Sequence, residues 1–233
     1  MKPHIGTAGW SIPKQVSDAF PDEGTHLQRY AARFDAAEIN SSFHRPHKRA
    51  TYARWAASVP EGFRFAVKIP KTITHRHKLA ECRELLETFA GQVAGLGEKR
   101  GPLLVQLPPS LAWPGDVAER FFDQLAAIAG GQVVIEPRHA SWYVPEIDAL
   151  LAARRIARVV ADPPVPAAAS EPGGWRGLTY YRLHGAPRTY WSSYTAEQIA
   201  AHAARLQGES WTIFDNTASG AAAGNAIELQ ALV

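Results

Sequence analysis

Cysteine and methionine are the scarcest side chains here, one of each in 233 residues. Cys82 has no partner for an internal disulfide, which suits a reducing compartment. The clustered cysteines and H-E-x-x-H spacing of zinc sites are missing. No apolar run nears the ~20 residues that a membrane span needs, so no membrane partner is expected. The opening MKPHIGTAGW has no secretory apolar region and reads directly as a strand, which leads to the expectation of a cytoplasmic protein. Dense Lys/Arg tails, the usual footprint of non-specific nucleic-acid binding, are lacking. The net charge of +3 permits an anionic partner without demanding one. No repeat and no linker divides the chain, so residues 1–233 are expected to form a single domain.

What the sequence does have is alternation. HIGTAGW (4–10), AAEINSSF (36–43), FRFAVKIP (63–70) and GPLLVQLPP (101–109) read as four strands. VVIEPRHASW (133–142), ARVVAD (157–162), LTYYRLHG (178–185) and WTIFDNT (211–217) supply four more. Helical patterns lie between them. Leu79, Cys82, Leu86, Phe89, Val93 and Leu96 recur at the spacing of one helical face. Asp116 is placed to cap the next helix, Pro145 suits a first turn, and Thr195 with Gln198 forms a capping box. PPVPAAASEPGGW, after strand six, reads as loop. Eight strand–helix pairs imply right-handed crossovers and an α/β fold: a TIM-type (β/α)8 barrel with a reduced or missing helix after strand six. An open doubly wound sheet also alternates, but no G-x-G-x-x-G follows strand one.

Side chains alternate faces along a strand. Glu38 with Asn40, Ala66 with Lys68, Leu104 with Gln106, Val134 with Glu136 and Arg138, and Tyr180 with Arg182 and His184 each share a face. Strand six ends in Asp162 and strand eight in Asp215 and Asn216. Every polar group falls toward the carboxyl end, where barrel active sites lie. Several ions held there for stability alone would cost several kcal/mol each, so a ligand site is the expectation. Glu38, Glu136 and His184 are the candidate catalytic groups, with Asp215 a further carboxylate. Trp10, Asn40, Lys68, Gln106, Arg138, Trp142, Arg182, Asp215 and Asn216 are the candidate substrate-binding residues. Lys68, Arg138 and Arg182 would hold an anion. Phe43, Tyr190, Trp191 and Tyr194 are aromatic candidates for stacking near the same face. His75 and His77 lie two apart, yet beside Lys71, Arg76 and Lys78 they read as a basic loop. No cofactor is expected; a divalent metal held by Glu136, Asp162, His184 and Asp215 is the alternative.

The ordered set GTAGW, EINSSF, FAVKIPKTITH, LLVQLPPS, EPRHASW, YYRLHG and FDNTASGAAAGNA resembles the domain of unknown function 72 family, the YecE-like proteins. The resemblance spans nearly the whole chain. It implies a TIM-type barrel in a soluble bacterial or archaeal protein, and carries no assigned reaction. It adds Thr74, Pro108, His139, Gly185 and Asn225 to the positions above. Pro137 replaces a larger residue of the family pattern, and Asp215 stands where the pattern favours Asn, which turns attention to Glu38 or Glu136 as the base. The first reading is an enzyme, a hydrolase, isomerase or lyase. It would use acid/base chemistry on a phosphorylated or otherwise anionic small molecule such as a sugar or nucleotide derivative. The alternatives are a nucleic-acid-binding protein, with residues 68–78 as its contact, and a metal-assisted phosphoester hydrolase. Oligomeric state is not readable from the sequence.

Overall fold

A computed structural model of the chain describes residues 3–233. Its strands are β1 (His4–Ala8), β2 (Ala36–Ile39), β3 (Arg64–Lys68), β4 (Arg100–Gln106), β5 (Val133–Glu136), β6 (Ile156–Arg158), β7 (Val160–Asp162), β8 (Gly173–Gly174), β9 (Thr179–Leu183) and β10 (Ser210–Phe214). They join in one sheet, in the order β7-β9-β10-β1-β2-β3-β4-β5-β6-β8. All pairs are parallel except β6 with β8. β6 and β7 are two halves of one strand, interrupted at Val159. The lower half pairs with β5 and the upper half with β9, while the Val159 N–H donates to the Ile135 carbonyl at 2.8 Å. The broken strand closes the ring, so the fold is an eight-stranded TIM-type barrel with β8 as a two-residue addition.

The surrounding helices are α1 (His26–Ala31), α2 (Ser41–His44), α3 (Arg49–Ala57), α4 (Arg83–Val93), α5 (Asp116–Ile128), α6 (Pro145–Ala153), α7 (Ala196–Ala203) and α8 (Ala221–Gln230). After strand six there is only a 3-10 turn at Ala167–Ser170. Pro163, Pro164 and Pro166 lack the N–H donors that a helix would need there. Thr195 and Gln198 cap α7 reciprocally, as their spacing predicts, and Thr25 and Gln28 do the same for α1. Two local expectations change. Gly115, at φ +58°, caps α5, so Asp116 sits in the first turn instead, facing the helix's positive end. α4 begins only at Arg83, because Lys78 and Leu79 take left-handed backbone; Leu79 and Leu96 stay buried on the flanking turns.

Apolar side chains fill two separate spaces. Outside the strands, Ile5, Ile39, Phe65, Val67, Val105, Ile135 and Phe214 pack against helix residues such as Leu86, Phe89, Phe121 and Leu151. Inside, Ala36, Ala66, Leu104, Val134, Ala157, Val159, Tyr180, Trp211 and Ile213 form the barrel floor. The alanines leave room for two large rings, and Tyr180 stacks on Trp211 with centroids 6.0 Å apart. β1 and β2 approach closely at Gly6, where a Cβ would run into the Ala36 carbonyl.

A matched pair of substitutions tests this packing. Gly6→Ala should destabilise by about 1–3 kcal/mol or more through overpacking. Gly91→Ala, on the exposed face of α4 with open space around it, should stabilise by up to about 1 kcal/mol. Thermal unfolding of both variants reads the signs; a neutral Gly6→Ala would refute the close approach of β1 and β2.

Candidate functional site

Above the floor, the same alternating faces turn polar. Two residues beyond Ala36, Ala66, Leu104, Val134, Tyr180 and Ile213 stand Glu38, Lys68, Gln106, Glu136, Arg182 and Asp215, all buried. Arg182 is wholly buried at the centre. Its Nε and Nη2 donate to Glu38 Oε2 and Oε1 at 3.0 and 2.8 Å, its Nη1 to Glu136 Oε2 at 2.7 Å, and its Nη2 also to Asp215 Oδ2 at 2.9 Å. Tyr180 completes the ligation of Glu38, its hydroxyl donating to Oε2 at 2.9 Å. Glu136 Oε1 accepts from Arg138 Nε at 3.1 Å and Nη2 at 2.9 Å, and Gln106 Nε2 lies at 3.2 Å. His184 bridges the last two carboxylates. Its Nδ1 meets Asp215 Oδ2 at 3.0 Å, and its Nε2 lies 3.3 Å from Glu136 Oε1, at ion-pair distance without hydrogen-bond alignment.

These contacts set the charges. Burial alone would raise the Glu136 carboxyl, but Arg182, His184 and Arg138 hold it well below the usual range. Asp215 is likewise lowered: Arg182 and His184 outweigh its burial. Burial would lower His184, yet Glu136 and the Asp215 hydrogen bond carry it above its ordinary value. Lys68 behaves differently. Burial, reinforced by Arg182, brings its ammonium down to about 8 despite the pull of the three carboxylates. Among the described residues its Nζ makes no ion pair or hydrogen bond; it sits over the Phe43 ring, 4.2 Å from the centroid.

Two chambers open over this layer and share Arg138. The larger, about 740 Å³, is lined by Asn40, Ser41, Phe43, His44, Lys68, Lys71, His75, Gln106, Arg138, Tyr190 and Asp215. The smaller, about 200 Å³, exposes Glu136, His184 and Arg138 to a wall of Pro109, Ala161, Pro163, Val165 and Thr189.

The structure thus brings Asn40, Lys68, Gln106, Glu136, Arg138, His184 and Asp215 to the chambers. Others of the expected set lie elsewhere. Glu38 is fully buried with both oxygens taken up by Tyr180 and Arg182, and lines neither chamber, so it positions Arg182 rather than meeting a ligand. Arg182 directs its donors at carboxylates, so it holds no ligand anion. Trp142 is core: its Nε1–H donates to the Leu111 carbonyl and its ring packs on Trp113 and Phe122. Trp10 packs edge-on against Trp55 and Phe65 and lines only a neighbouring depression. Asn216 is buried and bonded to Ser192 and Asn225, bracing the turn after β9. Trp191 lies beside α8, while Tyr194 is buried, its hydroxyl tying the Gly185 N–H to the Asp162 carbonyl. Ser41 and His44 are lining residues that the strand pattern missed, because they follow the strand in α2.

The donors do not fit a divalent metal. Arg182 occupies the space between the three carboxylates that a cation would fill, and Asp162 offers its backbone carbonyl to the His184 N–H instead of joining them. Among the described residues, no group of three or more His, Cys, Asp or Glu side chains is arranged to hold a metal ion. No helix among them is long and apolar enough to cross a membrane.

Comparison with known proteins agrees with this architecture. The profile described as "Protein of unknown function DUF72" matches residues 4–233. The UPF0759 protein YecE of Escherichia coli K12 is 32% identical over 105 residues, covering 45% of this chain and 37% of that protein. The match therefore spans little more than a third of the curated relative. Two solved structures share the fold. A DUF72 family protein from Enterococcus faecalis superposes with a TM-score of 0.82 at 21% identity, covering 99% of this chain and 95% of that one. One from Thermotoga maritima gives 0.77 at 23% identity, covering 100% and 99%.

Arg182→Met keeps the side-chain bulk and strands the carboxylates, which should cost about 3–5 kcal/mol. In the intact protein Glu136 and Asp215 titrate low. Their stabilisation is present above the unfolded carboxylate pKa and lost as pH falls through the folded values. Without Arg182 their burial opposes ionisation, so the variant should instead gain stability on acidification from neutral pH toward pH ~5. Urea midpoints at the two pH values measure this. A variant as stable as the parent at neutral pH would refute the central role of Arg182.

Proposed function

Because this chain belongs to the DUF72 family of proteins of unknown function, we propose its activity from the barrel mouth itself: an enzyme that binds an anionic, phosphate-bearing ligand and transfers a proton to or from it. The observation that carries this reading is Lys68. A buried ammonium normally has a directly paired carboxylate, whereas this one, among the described residues, makes no ion pair or hydrogen bond and sits over an aromatic ring. Around it the large chamber is lined by Lys71, His75 and Arg138. The three carboxylates are engaged by Arg182, Arg138 and His184, which leaves Lys68 as the cation outside these pairs. A phosphate or carboxylate on the ligand completes the balance.

Roles follow from position. Lys68 and Arg138 hold the anion, with Arg138 kept in place through Glu136. His184, raised in pKa and open to the small chamber, donates the proton. Asp215 lines the large chamber and orients the His184 ring. Glu136 is too tightly held by cations to be a free base and acts by keeping His184 charged. Hydrolysis, isomerisation and elimination all use such a set.

Two measurements test the proposal. A pool of phosphorylated metabolites, incubated with the protein and followed by mass spectrometry, should show one compound consumed. His184→Asn should slow that turnover by roughly 10²–10⁴-fold. Lys68→Met provides a second, independent readout. The ammonium pKa falls from 10.5 to about 8 on folding, a destabilisation of about 3 kcal/mol below pH 8 that fades as pH rises through that value. The variant should therefore be more stable than the parent at pH 7 yet lose phosphate binding. Retained phosphate binding in Lys68→Met would refute the anion site.

A further inference from the structure

The large chamber opens onto a rim of uneven charge. The turns after β2 and β3, residues 40–49 and 69–78, carry Arg45, Lys48, Arg49, Lys71, Arg76 and Lys78, with four histidines and no carboxylate. Residues 41–78 hold nine of the chain's 25 Lys/Arg and one of its 22 Asp/Glu, leaving 16 basic against 21 acidic residues elsewhere. Adjacent strands bring the two turns together, and the Phe43 and His75 rings meet at 4.9 Å. None of the six cations forms an ion pair among the described residues. All six but the half-buried Lys71 are exposed. Burial, then the charges of Lys68, Arg138 and Lys71, lowers the His75 pKa, as a concentrated positive field requires.

Two further features adjoin this rim. Tyr190 lines the chamber, 40% exposed, on left-handed backbone at φ +68°. Asn40, also on the chamber, has a buried side-chain oxygen with no hydrogen-bond partner among the described residues.

We propose that the mouth receives one nucleotide of a single-stranded nucleic acid whose phosphodiester backbone crosses the 44–49 and 71–78 turns. The inference rests on the reading of the mouth as an anion site and names the class of its ligand. A free metabolite is matched by Lys68 and Arg138 alone. Lys71 on the chamber wall and five more unpaired cations in the adjoining turns match a polymer that carries one charge per unit. A duplex keeps its bases stacked, out of reach of a concave mouth, whereas a single strand can turn a base inward onto Phe43 and Tyr190. The free Asn40 oxygen accepts a hydrogen bond from an amino or ring N–H of that base.

The test is fluorescence anisotropy with labelled single-stranded DNA and RNA of about 12 nucleotides, at about 50 and 200 mM salt. Four phosphate contacts predict a loss of roughly 50-fold in affinity over that range. Arg76→Gln with Lys78→Gln, both outside the chamber, should weaken oligonucleotide binding at low salt at least about 5-fold and flatten its salt dependence. The same double variant should leave the thermal shift from adenosine or uridine monophosphate unchanged. Monophosphate binding without oligonucleotide binding overturns this inference and leaves the anion site standing. Oligonucleotide binding without monophosphate binding supports the rim and removes the mouth. Binding that ignores the rim substitutions, or equal affinity for a duplex or for phosphatidylserine vesicles, overturns the proposal.

Discussion

Arg182 sets the terms for the whole barrel mouth. A guanidinium has donors in a fixed planar fork, and here the fork meets three carboxylates from three other strands, β2, β5 and the end of β10. Each ion would cost several kcal/mol to bury alone, so the cluster exists only because its geometry is complete. That completeness fixes the charges around it. Arg182, His184 and Arg138 hold Glu136 below its ordinary pKa, Arg182 and His184 do the same for Asp215, and the two carboxylates in turn raise His184. Lys68, the cation outside the network, is instead brought down to about 8. Lys68, Asp215 and Arg138 meet the open volume of the large chamber at the edge of the ion cluster.

Strand alternation makes the ring of polar residues legible in the sequence. A period of two carries each apolar floor residue to a polar neighbour one step up, and a barrel has only one inside. Glu38, Lys68, Gln106, Glu136, Arg182 and Asp215 all follow from that period. Alternation gives direction without height, however, and it does not separate Glu38 and Arg182, sealed beneath the cluster, from Lys68 and Arg138 at its surface. Trp10, Trp142 and Asn216 fall outside its reach for another reason. They follow strand ends, where turns decide direction, and here the turns send two rings into the outer core and the amide to a loop brace. The break at Val159 is also hidden, since ARVVAD reads as one strand and the interruption shows only in which neighbour each half pairs with.

The missing helix after strand six is consistent with that break. Where a helix would cover the outer side of the strand, Pro163, Pro164 and Pro166 hold a loop, and the upper half turns from β5 to β9. Pro163 and Val165 of this loop then form a wall of the small chamber against His184. An apolar wall there keeps water from competing with Glu136 for the imidazolium, which strengthens the pair that holds its charge.

Inside and outside the mouth, like chemistry meets opposite conditions. Below, cations and carboxylates are matched almost one to one, because an unpaired charge away from water is expensive. On the rim, six cations stand without carboxylates, and water with salt screens their repulsion over about 8–10 Å. Stability neither requires nor opposes that second arrangement, since exposed ion pairs contribute little and their absence costs little. Nor does the fold require it, because the rest of the chain carries more acid than base and could supply partners. β2 and β3 end in both arrangements, Glu38 and Lys68 beneath and the basic turns above. A ligand reaching Lys68 must pass through the field of that rim. In the proposed anion-site reading, selection for negative charge begins outside the chamber, before any group in it makes contact.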